Sequence, residues 1–270
     1  MNSQFILNYT GTKYKETKEL DGIDFSKYDT IVEPFGGSFG FSRYLWQMKG
    51  MTDKRYIIYD LDAKLINFYK HIQTRIKDGT IDAFIKEYND LVQLVADNCD
   101  LKKKYYSVID RKLIKPYLQG QDEWILYMVE KNCLQSMIPK PLKKNKVVFL
   151  DMIEKTTFIN KSFFDVDMSE YKSPTTLIYV DPPYLGEFNG DYDGHTKDVE
   201  QNLYRSILDL MNNEYKVLLV HISGGLIDLV FNEFKYFDYA KLYQLGNKKR
   251  VKHVVYYNDG WDNGGALLKK

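Results

Sequence analysis

The chain has 270 residues, is 44% hydrophobic and carries a formal net charge of +1. That apolar content suffices for a sizeable core, in one domain with an insertion or in one large and one small domain. The near-neutral balance excludes a globally basic nucleic-acid binder, so such a partner would have to be met by local patches. Two cysteines, Cys99 and Cys133, without a CxxC spacing give neither a disulfide framework nor a zinc site. His71, His195, His221 and His253 form no HExxH spacing, so no metal site is expected. The start, MNSQFILNYTGTKYK, lacks the basic and long apolar regions of a signal peptide, and no apolar run reaches the length of a membrane span. A soluble, cytoplasmic protein is the expectation, or one inside a host cell if the source is a virus.

In chain order, residues 30–35 (TIVEPF) read as a short strand running into a glycine turn, Gly36-Gly37-Ser38-Phe39-Gly40. FSRYLWQMKG has helical spacing and ends at Gly50, a residue suited to close a helix. Residues 55–60 (RYIIYD) read as a second strand ending in an acid. An amphipathic helix follows, with Leu65, Phe68, Tyr69 and Ile72 on one face. Asp62 stands where a carboxylate would cap it. Strand–helix–strand–helix is the pattern of a parallel sheet covered by helices. Residues 81–149 change character: helical segments dominate, interrupted by lysine clusters. They are read as an insert between residues 1–80 and 150–270. The strand pattern resumes at 156–160, 176–180 and 215–222, continuous apolar runs of the central-strand kind, with a helix between the last two. FKYFDYAKLYQL and KHVVYYN, joined by the polar GNKKR, predict an antiparallel hairpin at the sheet edge.

Three constellations could carry chemistry. A strand running into glycines and then a helix lets backbone approach a ligand and presents free N–H groups, though such turns also occur with no ligand. Its spacing is not GxGxxG and no Walker lysine follows, which disfavours dinucleotides and nucleoside triphosphates. Asp60, at the carboxyl end of the second strand, is suited to accept hydrogen bonds from two ribose hydroxyls. In LIYVDPPYLG, an apolar run delivers Asp181, Pro182, Pro183 and Tyr184. Successive prolines fix the backbone, and so hold the Asp181 carboxylate and the Pro182 carbonyl as a pair of acceptors. Such a pair suits an amine with two N–H donors, and Tyr184 offers a face for a flat ring.

These stretches occur together with NYTGTKYK at the start, TFINKSFFDV at 157–166, VLLVHIS at 217–223 and RVKHVVYYN at 250–258. The ordered set, which spans nearly the whole chain, resembles the S-adenosylmethionine-dependent DNA adenine-N6 methyltransferases of the Dam type (the DPPY, or D12, class). The resemblance implies an α/β, Rossmann-like methyltransferase fold with a mainly parallel twisted sheet. It also implies an antiparallel C-terminal hairpin and a mostly helical inserted target-recognition subdomain at 81–149. It implies S-adenosyl-L-methionine as cofactor, held by Tyr9, Gly11, Lys13, Phe35, Gly36, Gly37, Asp60, Ser162, Phe163 and Asp181. Catalysis would fall to Asp181, Pro182, Pro183 and Tyr184, acting on an adenine flipped out of double-stranded DNA, as base-modifying enzymes require.

Lysine runs are commonly solvated faces. In the light of the resemblance, the expected DNA contacts are Lys102, Lys103, Lys104, Arg111, Lys112, Lys143 and Lys144 in the insert, with Lys248, Lys249 and Arg250 in the hairpin turn. Arg111 is the candidate for a base contact, because arginine reads guanine bidentately. A monomer or weak homodimer is expected. Phe39 departs from the family by standing where many members have a second glycine. The stretch KNCLQSMIPKPLKKNKVVF lacks the polar recognition signature of many members, so the resemblance implies no particular target sequence. Cys99 and Cys133 follow asparagines rather than a proline, which argues against cytosine-C5 chemistry. An RNA adenine-N6 methyltransferase is the nearest enzymatic alternative. An inactive nucleic-acid-binding homologue or heteromer subunit is the alternative of another class.

Overall fold

The computed structural model describes residues 5–7, 14, 16–98, 117, 119–133, 141–142, 149–182, 197–243 and 249–259. Among them run seven strands, β1 (Thr30–Glu33), β2 (Arg55–Asp60), β3 (Thr157–Asn160), β4 (Thr176–Val180), β5 (Lys216–Ile222), β6 (Lys235–Tyr243) and β7 (Lys249–Tyr257). They form one sheet in the order β3-β2-β1-β4-β5-β7-β6. The first five strands pair in parallel, and β7 joins β5 antiparallel. The expected hairpin therefore forms, with β7 inside and β6 on the edge. This is a Rossmann-like, mainly parallel sheet with an antiparallel C-terminal end. Strand order reverses between β1 and β4, and ligands of open α/β sheets lie outside the carboxyl ends of strands at such a point.

Alternation along each strand sorts the core into two layers. In β4, Leu177 and Tyr179 face one apolar cluster, and Ile178 and Val180 face the other. The first layer takes helices α1 (Gly40–Met48), α2 (Ala63–Lys77), α3 (Ile81–Asn98), α4 (Glu123–Cys133) and α5 (Leu150–Lys155). The second takes α6 (Lys197–Asn212) and α7 (Gly225–Val230). Leu65, Phe68, Tyr69 and Ile72 of α2 are all fully buried, as their spacing predicts. Asp62 caps α2, its Oδ1 accepting from the Leu65 amide at 3.0 Å. Gly50 takes a left-handed φ of 67° just beyond α1, the conformation glycine adopts without steric cost.

Residues 81–98 and 123–133 are helical, as expected. Their apolar side chains, among them Phe84, Tyr88, Leu91, Ile125 and Met128, belong to the same cluster as the sheet's first face. The first strand stops at Glu33 rather than residue 35, since Pro34 has no N–H to continue a ladder. The third starts at Thr157 because the Thr156 hydroxyl and amide both return to the carbonyl of Met152, inside α5, and so belong to that helix's C-terminal cap.

Phe68 joins α2 to α4, its ring 5.2 Å from that of Tyr127 and 6.2 Å from Trp124. Phe68→Ala should destabilise the protein by about 3–5 kcal/mol, the usual cost of emptying an aromatic core site. Urea denaturation checks this, and a loss below about 1 kcal/mol would contradict the packing described.

Candidate active site

The site is built at the carboxyl ends of β1, β2, β3 and β4. After β1, the glycine turn folds back onto β2. The Gly36 amide donates to the Tyr59 carbonyl at 2.7 Å. A Cβ on Gly36 would stand 2.2 Å from Ile58 Cγ2 and 2.9 Å from the Tyr59 oxygen, so only glycine permits this approach. Gly37 takes a φ of 48°. Its amide donates to Asp60 Oδ2 at 2.7 Å, and its carbonyl accepts from the Tyr69 hydroxyl at 2.8 Å. The next residues, Ser38 and Phe39, are buried, and α1 starts at Gly40. Phe39 has a left-handed backbone, φ 40° and ψ 50°. That conformation is unusual for a bulky side chain and normally belongs to glycine. Its ring packs against Phe5, Tyr69 and Phe158 at 5.1–5.4 Å.

Asp60 ends β2. Its second oxygen accepts the Asp62 amide at 2.8 Å, so each carboxylate oxygen holds one backbone N–H and keeps acceptor capacity for a hydroxyl. Burial pushes the Asp60 carboxyl upward, against the pull of these two amides and of Lys131. Asn160, at the end of β3, donates to the Asp60 and Leu61 carbonyls at 2.9 and 3.0 Å and so fixes the loop that follows. Ser162 opens the short helical turn Phe163–Asp165, its hydroxyl accepting from the Phe164 amide. Phe163 is largely buried and stacked on Phe35, centroids 5.3 Å apart. Leu61, which follows Asp60, is 68% exposed, and Phe164, stacked edge-on against Phe163, is 49% exposed.

On the neighbouring strand, β4 delivers Asp181 and Pro182 one and two residues past its end. Tyr179, two residues before Asp181, lies parallel to Phe41 of α1 with centroids 4.1 Å apart. That stack locks the start of β4's carboxyl end to the helix that follows the glycine turn. Tyr9, Gly11, Lys13, Pro183 and Tyr184 lie outside the described residues, as do Lys102, Lys103, Lys104, Arg111, Lys112, Lys143, Lys144 and Lys248. Lys249 and Arg250 open β7. Thus Phe35, Gly36, Gly37, Asp60, Ser162, Phe163, Asp181 and Pro182 gather at one edge of the sheet, while the expected DNA contacts are not brought into view.

Two buried charges of this edge escape a reading of the sequence. Glu33, 2% exposed, ends β1, and its Oε1 accepts from the Ser42 amide at 2.7 Å. Burial raises its pKa to about 7, opposed by the Ser42 amide's hydrogen bond and the Arg43 charge and reinforced by Asp181. Arg43, 4% exposed, lies one turn into α1. A glutamate next to a proline and an arginine on a helix both read as surface residues, so only their three-dimensional surroundings reveal them.

The carboxylate, the glycine turn and the strand reversal belong to a Rossmann-like fold. Residues 9–138 match the model of the D12 class N6 adenine-specific DNA methyltransferases. It is 22% identical over 276 residues to "Type II methyltransferase M.CviBI" of Paramecium bursaria Chlorella virus NC1A, covering 94% of this chain and 98% of the relative. Among solved structures, Haemophilus influenzae HI0767, described as a candidate methylase, shares 15% identity at a TM-score of 0.34. That likeness covers 92% of this chain and 98% of that one. The N-terminal domain of human METTL16 in complex with SAH shares 8% identity at a TM-score of 0.36, over 90% of this chain and 66% of that one. Among the described residues, no group of three or more metal-ligating side chains is found, and no helix is long and apolar enough to cross a membrane.

Gly36→Ala should destabilise the protein by about 1–3 kcal/mol through overpacking against Ile58, with a lower Tm in a thermal melt; an unchanged Tm would refute the close approach. The Glu33 carboxyl binds its proton more tightly folded (about 7) than its ordinary 4.5. Its contribution to stability is therefore full below pH 4.5 and is lost as pH rises through 7. Glu33→Gln removes that loss. Its stability relative to wild type should rise by about 1–3 kcal/mol between pH 5 and pH 8, followed by urea titration at each pH.

Proposed function

We propose that the protein transfers a methyl group from S-adenosyl-L-methionine to the N6 amine of adenine in double-stranded DNA. The observation that carries this reading is the placement of Asp181 and Pro182 beside the glycine turn and Asp60, at the reversal of strand order. The residues suit the cofactor. Asp60 retains acceptor capacity for ribose hydroxyls, the glycine turn holds its backbone close to that carboxylate, and Leu61, next in the chain, leaves apolar surface open. When bound, S-adenosylmethionine supplies an electrophilic sulfonium methyl group. Tyr9, Gly11 and Lys13 would close over it from the N-terminal segment.

The chain's own part is recognition and positioning. The Asp181 carboxylate and the Pro182 carbonyl accept the two hydrogens of the adenine amine and orient its lone pair. Tyr184 stacks on the base, repaying the few kcal/mol that extrusion from the duplex costs. The fixed carboxylate also favours the positive charge that develops on the amine as it is alkylated. Residues 81–149 serve as the target-recognition region. Lys102, Lys103, Lys104, Arg111, Lys112, Lys143, Lys144, Lys248, Lys249 and Arg250 meet DNA, mostly at phosphates, which makes binding salt-sensitive.

Purified protein incubated with labelled cofactor should methylate duplex DNA at adenines that map to one short sequence. Label appearing in RNA and absent from DNA would replace this reading with the RNA alternative. Asp181→Ala should lower transfer by at least about 100-fold while cofactor binding, read by calorimetry, is retained; near wild-type transfer would sink the mechanism.

A further inference from the structure

The glycine turn and the rings of Phe5 and Tyr14 meet at a buried cation, Arg43. Arg43 Nε donates to the Ser38 carbonyl at 2.9 Å, and a terminal guanidinium nitrogen donates to Ser38 Oγ at 3.2 Å. On its faces stand aromatic rings from two other parts of the chain. The Phe5 centroid is 3.9 Å from the guanidinium carbon, Tyr14 5.1 Å and Phe149 5.3 Å. Tyr14 is tied again to the same helix, its hydroxyl donating to Gln47. From above, Asn132 of α4 donates to the Ile6 carbonyl at 3.3 Å.

A buried ionic group is a poor way to gain stability, because desolvating it costs several kcal/mol, and an apolar residue of similar volume often does as well. Arg43 is desolvated almost completely, and its partners include a turn and an aromatic cage. What an apolar residue could not supply is direction. Only a planar guanidinium can grip the Ser38 carbonyl and hydroxyl in its plane while rings stack on its faces.

We propose that Arg43 is a positioning residue of the cofactor site. It fixes the glycine turn through Ser38 and packs it against Phe5, Tyr14 and Phe149, so that one group holds the turn to those rings. This rests on the cofactor reading above. Arg43 touches neither cofactor nor base in this scheme. It acts through the backbone at 36–39 and through the anchors at 5 and 14.

The test compares wild type with Arg43→Met, Arg43→Lys and Ser38→Ala by thermal melting, by S-adenosylmethionine calorimetry and by separate kcat and KM determination. Arg43→Met should keep a cooperative melt yet weaken cofactor binding and raise its KM by roughly tenfold or more, with kcat changed less than about threefold. Arg43→Lys keeps the charge and one donor direction and should recover part of the affinity. Ser38→Ala should weaken binding in the wild-type background and add little to Arg43→Met, since both remove the same contact. If Arg43→Met does not fold, the Arg43→Lys and Ser38→Ala pair still decides. Variants that melt lower but bind cofactor as wild type does would reduce Arg43 to a structural residue and overturn the inference. A wild-type protein that binds no S-adenosylmethionine would overturn the cofactor reading itself, and this inference with it.

Discussion

The turn after β1 can lie against the end of β2 only because position 36 has no side chain, and the rest of the site follows from that contact. With Gly36 against Ile58 and its amide on the Tyr59 carbonyl, the Gly37 amide arrives at Asp60. The carboxylate is then held by two amides, and Tyr69 from the underside of α2 takes the Gly37 carbonyl. Two consecutive residues of the turn are thus bonded to two different elements, β2 and α2. Such a turn cannot slide along the sheet, and α1, which starts immediately after it, inherits its direction. Because α1 carries Phe41 against Tyr179, the constraint reaches β4 and the approach to Asp181.

Much of this was legible in the chain itself. Alternating and continuous apolar runs located all seven strands, because a sheet buried on both faces leaves little freedom in residue type. Asp62 as a cap and Gly50 beyond α1 were legible because each meets a local need of the helix it adjoins. Asp60 and Asp181 stood out because acids at the ends of apolar runs are conspicuous. His221 and His253, which formed no metal-binding spacing, are both buried. His221 sits between the Tyr204 hydroxyl and the Ile222 carbonyl, and His253 is stacked on Tyr239.

What escaped the sequence was burial of charge. Glu33 and Arg43 look like ordinary strand-end and helix-surface residues. Their burial depends on contacts across many tens of residues, with Phe5, Tyr14 and Phe149 around one and Asp181 near the other. The roles of Phe163 and Phe164 were also not separable by spacing, since adjacent aromatic residues look alike until one is stacked under Phe35 and the other is open.

Phe39 offers a second lesson. Its left-handed backbone would be relaxed by glycine, yet glycine would empty the space among Phe5, Tyr69 and Phe158. Backbone preference and side-chain packing therefore pull in opposite directions at one position. A lineage could move between the glycine and phenylalanine forms of this turn only by altering several surrounding aromatics together. Substitutions here should be strongly epistatic, so that a residue acceptable in one relative is damaging when placed alone in another.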